Sequence, residues 1–173
     1  MDDVLVVVES VLGHTREVAE AVAEGVRREA PSASVRVLGV TQADADQVAR
    51  AGLLVVGGPT HAFSMSTPRT RDGARDQFHV EPPPEGVREW LARVPALEGR
   101  RVAAFDTRVR FPLPGHAAPA IARHLRRRGG RLLVEPEGFL VAGSEGPLVA
   151  GELDRAREWG ARLASSLASA AVA

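Results

Sequence analysis

Three short stretches of the sequence combine hydroxyls, glycines and charged groups in patterns that suit ligand chemistry. The first is SVLGHT, residues 10–15. Ser10 and Thr15 offer hydroxyls, and Gly13 lets the backbone approach a ligand closely. The N–H groups of Leu12, Gly13, His14 and Thr15 point out of the start of a following helix, where the helix dipole also favours negative charge. This arrangement suits a phosphate. It equally suits a plain N-cap, Ser10 or Thr15, on a tight turn, and the stretch alone leaves both readings open.

The second stretch is GGPTHAFSMSTPRTR, residues 57–71. Gly57 and Gly58 end an apolar run, and Pro59 stiffens the exit. Thr60, His61, Ala62 and Phe63 then offer backbone bonds to a flat heteroaromatic ligand, with His61 or Phe63 covering one face. A surface loop with one buried Phe is the alternative. The third stretch is FDTRVRFPLPGHAAP, residues 105–119, in which Asp106, Thr107 and Arg108 follow an apolar run directly. Arg108 suits a ligand anion or an electron-rich ring oxygen, or else an ion pair with Asp106. His116 suits a helix cap or an exposed position better than a catalytic one.

These stretches need a frame. Val4–Val8 is a continuous apolar run, the pattern of a strand buried on both faces. A helix follows over Thr15–Glu29, with Val18, Val22 and Val26 on one stripe and Pro31 after its end. The pattern then predicts a strand at Ser34–Val40, a short helix near Ala43–Arg50 and a buried strand at Leu53–Gly57. Residues 60–85 read as a long loop with room for a helical turn. A helix over Gly86–Val94, a strand over Arg101–Phe105, a loop to Gly115 and a helix over Ala117–Arg128 come next. The last strand is split near Pro136 into Arg131–Val134 and Gly138–Val141. A closing helix spans Gly151–Leu167, and the Ala/Ser tail at 168–173 is expected to fray. Such alternation implies an α/β fold: a doubly wound, five-stranded parallel sheet with helices on both faces. Ligands of such sheets bind beyond the carboxyl ends of the strands, where all three stretches gather.

The bulk properties narrow the classes. The chain has 173 residues, 45% of them hydrophobic, with no cysteine and a formal net charge of zero. This fits one domain over 1–173, without a disulfide framework or thiolate metal site. No global field steers it to nucleic acid or an anionic membrane. Asp2 and Asp3 stand where a secretory leader would be positive, and no apolar run is long enough to span a bilayer, so a cytoplasmic location is expected. Every one of the 22 Lys and Arg residues is Arg, which excludes a Walker lysine and a Schiff-base lysine. There is no G-x-S-x-G elbow, no H-E-x-x-H motif and no dinucleotide fingerprint. A receiver domain would need an Asp after the third strand, where this chain has Gly-Gly-Pro. The runs PRTRDGAR and RHLRRRGGR read first as solvated arginines.

Taken together, the three stretches resemble the flavodoxin family of FMN-binding proteins. SVLGHT is similar to the family's phosphate loop, T/S-x-T-G-x-T, with Ser10, Gly13 and Thr15 matching and Leu12 replacing the middle Thr. VVGGPTH and AAFDTR resemble the two segments that hold the flavin ring. The likeness covers nearly the whole chain in order and spacing. It implies the strand order 2-1-3-4-5, FMN as cofactor, and electron transfer to redox partner proteins or a small-molecule acceptor. A flavin-dependent quinone or small-molecule reductase is the close alternative, with residues 64–84 and 108–114 as the walls of a substrate pocket beside the ring. An interaction module that has lost flavin, with Arg123–Arg131 as its contact surface, is the third. Flavodoxins usually sandwich the ring between Trp and Tyr. This chain has no Tyr, and Trp90 and Trp159 read as packing residues, so stacking falls to His61, Phe63 or Phe111.

Overall fold

The computed structural model describes residues 3–112 and 114–172. β1 (Val4–Val8) is buried along its whole length. It lies between β2 (Val35–Gly39) and β3 (Leu53–His61), parallel to both. β5 (Arg101–Val109) pairs with β3 on its other side, and β6 (Arg131–Leu132) and β7 (Glu137–Val141) pair in succession along β5. With β6 and β7 as one interrupted strand, the parallel order is the doubly wound 2-1-3-4-5 order that the sequence implies. β4 (Ser64–Met65) is a short antiparallel return on the end of β3.

Strand alternation divides the core. Leu5, Val7, Leu54, Val56, Val102 and Ala104 face α4 (Val87–Arg93) and α5 (Ala117–Arg127). Val4, Val6, Val8, Leu53, Val55, Ala103 and Phe105 face α1 (His14–Glu29) and α6 (Glu152–Val172). The stripe Val18, Val22 and Val26 is buried as its spacing requires. α1 and α6 touch backbone to backbone. A Cβ on Gly25 would lie 2.0 Å from the Arg157 carbonyl oxygen, and one on Gly160 would lie 2.1 Å from that of Val22. Trp90 and Trp159 are both buried, each only 1% exposed. Among the described residues no helix is long and apolar enough to cross a membrane.

Four expectations need correction. Residues 60–85 are not one long loop: they contain β4 and α3 (Pro68–Phe78). Thr67 and Thr70 form a reciprocal cap and Pro68 opens the helix, so its start is well specified. Its amphipathicity is weak because the residues it buries are Arg71 and Ala74. β3 runs on from Gly57 to His61, and β5 runs on from Phe105 to Val109, because each lends the other a partner at Gly58↔Asp106 and Pro59↔Thr107. β7 supports the same extension from the far side. α6 continues to Val172 through the run expected to fray; Ala173 lies outside the described residues. α2 is shorter than expected, Ala45–Arg50, because Asp44 caps it by accepting from the Gln47 N–H at 2.7 Å.

Candidate functional site

Residues 10–15 bridge the end of β1 and the start of α1. Gly13 is the N-cap, at φ +94°, a left-handed conformation that glycine adopts without steric cost. Nothing lies within 4 Å of where its Cβ would be, so conformation rather than crowding selects glycine. The Ser10 hydroxyl accepts from the Arg16 N–H at 3.3 Å. The Thr15 and Thr107 hydroxyls share a buried hydrogen bond of 2.8 Å, which ties the first stretch to the third. Among the described residues, none accepts from the N–H groups of Val11, Leu12, Gly13, His14 or Thr15. His14 Nε2 contacts the Glu145 carbonyl at 2.7 Å, which makes it the donor there. This bond closes the loop against residues 142–147.

Beside this loop opens a cavity of about 440 Å³, within the range of cofactor sites. Of the residues selected from the sequence, Leu12, His14, Thr15, Pro59, Thr60, His61, Ala62, Thr107 and Arg108 line it. Ser10, Gly13, Phe63 and Asp106 do not. Asp106 is fully buried and holds Arg108 through two bonds, of 2.6 and 3.1 Å, while also accepting from the Ala118 N–H at 2.7 Å. Burial pushes the Asp106 carboxyl above its ordinary range, and Arg108 and the Ala118 N–H pull against that. Arg108 therefore reaches the cavity with its charge already matched, and Asp106 acts as a cap on α5. Thr60 does similar work, accepting from the Ala117 N–H at 3.0 Å. His116 occupies the N-cap position of α5 without a side-chain cap bond.

The β3–β4 connection is a two-residue turn, Ala62–Phe63, with φ of +45° and +68°. Both residues sit in the left-handed region that such turns demand, where Asn-Gly is the favoured pair. Holding two non-glycine residues there costs about 1–2 kcal/mol each. The turn places His61 in the cavity wall, whereas Phe63 lies outside that wall and is 49% exposed. Phe63 meets Phe111, itself 50% exposed, with ring centroids 5.4 Å apart and a 50° tilt. Burial, and then the Arg71 charge, hold the His61 imidazole below its usual pKa, so it is neutral at pH 7.

The sequence reading offers residues 64–84 as a wall but misses that this wall is a helix. Thr70, Gly73, Ala74, Gln77 and Phe78 of α3 line the cavity opposite residues 10–15. It also misses the buried polar network that seats this wall. The Glu9 carboxylate accepts from the Ser66 hydroxyl at 2.5 Å and from the Val87 N–H at 2.8 Å. Ser66 in turn accepts from Arg71 Nη1 at 2.8 Å, and Arg71 Nη2 lies 3.1 Å from Glu89. Glu9, Ser66 and Arg71 are each at most 3% exposed. A Cβ on Gly86 would lie 2.5–2.6 Å from Arg71, Ser66 and Glu9, so glycine there makes room for the network. Burial raises the Glu9 pKa, against the pull of Ser66, Val87 and Arg71. The available signal was a lone acidic residue, Glu9, closing an otherwise apolar strand.

No family model matches the chain, and no curated protein sequence matches it. Solved structures do. A flavodoxin from the domain Archaea superposes with a TM-score of 0.69 at 22% identity, over 96% of this chain and 99% of that one. Flavodoxin 1 from Bacillus cereus gives 0.68 at 16% identity, over 94% and 97%. A flavodoxin, WrbA-like protein from Agrobacterium tumefaciens gives 0.62 at 20% identity, over 98% and 99%. The chain has the flavodoxin-like fold.

Proposed function

We propose that this protein binds FMN and transfers electrons through it. One observation carries the reading: the arc of unpaired N–H groups at residues 11–15 opens beside a mostly apolar cavity at the strand ends. Such an arc suits a phosphate, and the cavity beside it suits a ring. Leu12, Gly13, His14 and Thr15 would hold the phosphate through backbone N–H groups. Leu12 lacks the hydroxyl of the flavodoxin-like loop, and Thr15 spends its own on Thr107, so the backbone carries the anion. Thr60, His61, Ala62 and Thr107 would hold the ring edge, and Phe63 with Phe111 supplies exposed aromatic surface next to Ala62. FMN bound there supplies the redox chemistry, and the protein supplies position and electrostatics. The neutral His61 adds no cation to the cavity, and Arg108 adds a cation whose charge Asp106 balances.

A second reading has its own support. The α3 wall gives the cavity a side that a bare carrier does not need, and this favours an FMN-dependent reductase of quinones or other small planar acceptors. The visible spectrum of the protein, purified and then titrated with FMN, tests the first step. Yellow protein, or quenched FMN fluorescence at micromolar concentrations, is the expected result; neither would remove both readings. Saturable reduction of a quinone by the reduced holoprotein separates the reductase from the carrier.

A further inference from the structure

The strongest unassigned feature lies at the far end of the molecule from the cavity. α5 begins at the site, where Thr60 and Asp106 hold its first N–H groups. It ends eleven residues later, about 16 Å away at 1.5 Å per residue. There the outward face carries Arg123, Arg126 and Arg127, followed by Arg128 and Arg131, all exposed. Arg88, at the start of α4, is bound to the Met65 and Ser66 carbonyls on the cavity side and adds its charge at His124. Four of these, Arg127, Arg88, Arg123 and Arg128, act together on the half-buried imidazole of His124 and, with its burial, disfavour its protonation.

The cluster is set apart by its density of unpaired cations. Elsewhere Arg16, Arg71, Arg75, Arg93, Arg108, Arg155, Arg157 and Arg162 pair with carboxylates. Among the described residues the other arginines without an ion pair, Arg27, Arg28, Arg36, Arg50, Arg69, Arg100, Arg101 and Arg110, stand singly or in twos along the chain. Among the described residues, none of Arg88, Arg123, Arg126, Arg127, Arg128 or Arg131 pairs with a carboxylate. α5 itself has no acidic residue. Of the nearby carboxylates, Glu85 is paired with Arg93 and Glu89 with Arg71, and Glu98 makes no ion pair. Two of the guanidinium groups are also fixed in place. Arg128 donates to the Ala92 carbonyl, and Arg88 donates to the Met65 and Ser66 carbonyls at 3.0 and 3.1 Å. Like charges so gathered repel one another, and an anionic partner relieves them.

We infer that the outer face and C-terminal turn of α5 form a docking surface for an acidic face of another protein. The spacing favours protein over nucleic acid. Arg123, Arg126 and Arg127 stand at i, i+3 and i+4, the repeat at which a partner helix presents carboxylates, and Arg binds carboxylates as a fork. The patch spans little more than two helical turns and carries no exposed aromatic side chain for base stacking. The zero net charge supplies no long-range attraction to a polyanion. A partner docked here leaves the cavity open, so this inference stands apart from the flavin reading.

The test titrates the full-length protein with poly-L-glutamate at low salt, followed by calorimetry. Binding is expected, with loss at high salt as screening demands. Arg123→Glu with Arg127→Glu should weaken it about tenfold or more, the loss expected when rim charges are reversed. Arg28→Glu with Arg50→Glu makes the same change in net charge on exposed arginines elsewhere and should leave most of the affinity. The His124 titration, followed by NMR, should move upward when the wild-type protein is saturated, because the bound anion offsets the four guanidinium groups. Equal losses in the two double variants, an unmoved His124 midpoint, or no binding at low salt would each overturn the inference. So would tighter binding of a single-stranded oligonucleotide of equal charge.

Discussion

Replacing Glu9 by Gln tests the buried network at its centre. The change keeps the shape and removes the charge. Both Glu9 oxygens accept in the native protein, one from Ser66 and one from Val87. A Gln amide accepts at one end only. If its oxygen stays on the Val87 N–H, its NH₂ faces Ser66, whose oxygen already accepts from Arg71. The Ser66 hydroxyl can take a second donor, but its own hydrogen then has nowhere to go in a fully buried site. One orphaned buried donor costs about 1–3 kcal/mol. In a domain of this size each kcal/mol lowers Tm by about 2–4 °C. The pH dependence separates this mechanism from a simple packing defect. Glu9 has its folded pKa raised above 4.5, chiefly by burial. Its contribution to stability is fully present below 4.5 and is lost as pH rises through the folded pKa. The Gln variant has no such group. The stability difference, wild type minus variant, should therefore be largest near pH 4.5 and shrink toward pH 8. Urea unfolding at a series of pH values measures it. A difference that is flat, or that grows with pH, would refute a Glu9 pKa raised by burial.

Other outcomes follow from single contacts. Gly160→Ala places a Cβ 2.1 Å from the Val22 carbonyl oxygen, so α1 and α6 must separate, and a loss of about 1–3 kcal/mol is expected by chemical denaturation. Phe63→Gly relieves a left-handed φ of +68° and should raise stability by up to about 1 kcal/mol, while weakening FMN binding in a fluorescence titration because aromatic surface next to Ala62 is lost. Leu12→Thr restores a hydroxyl to the phosphate loop; a charged hydrogen bond of about 1.5–3 kcal/mol would tighten FMN binding by an order of magnitude, whereas unchanged affinity would mean that the backbone and helix dipole already saturate the anion. His61 should titrate below 6.5 by NMR, and a normal or raised midpoint would contradict its burial beside Arg71.

The parallel sheet was legible because its strands are almost pure signals. Val4–Val8 and Leu53–Gly57 are apolar without interruption, and only strands covered on both faces read that way. The 10–15 turn was legible because Gly13 and its flanking hydroxyls occupy a strand-to-helix junction. The helix α3 was not. Its sequence, PRTRDGARDQF, offers only Ala74 and Phe78 as an apolar pair, and the residue it buries deepest is Arg71, whose partners lie elsewhere in the chain. The extensions of β3 and β5 were hidden for a related reason. Pro59 and Thr107 carry no strand signal of their own and are held by each other across the ladder. The Ala62–Phe63 turn contains neither Asn nor Gly, so the chemistry that announces such turns is absent.

That α3 is seated by charge rather than by grease has a physical reason. A helix that buries only Arg71 and Ala74 has too little apolar surface to fix its own rotation, because hydrophobic contact is non-directional. Hydrogen bonds are directional. Arg71 offers its planar fork to Ser66 on one side and Glu89 on the other, and Ser66 passes the constraint to Glu9 at the root of the 10–15 loop. Rotation of α3 would break several buried polar contacts at once, each costly to leave unmade. An apolar replacement of such a group can be as stable or more so, but it would hold Thr70, Ala74 and Phe78 at no particular angle to the cavity. A ring site needs its walls placed to within about half an ångström. The buried charges therefore set the register between the two sides of the cavity, with Glu9, the residue before the 10–15 loop, at one end of the chain of bonds and Arg71, the neighbour of Thr70, at the other.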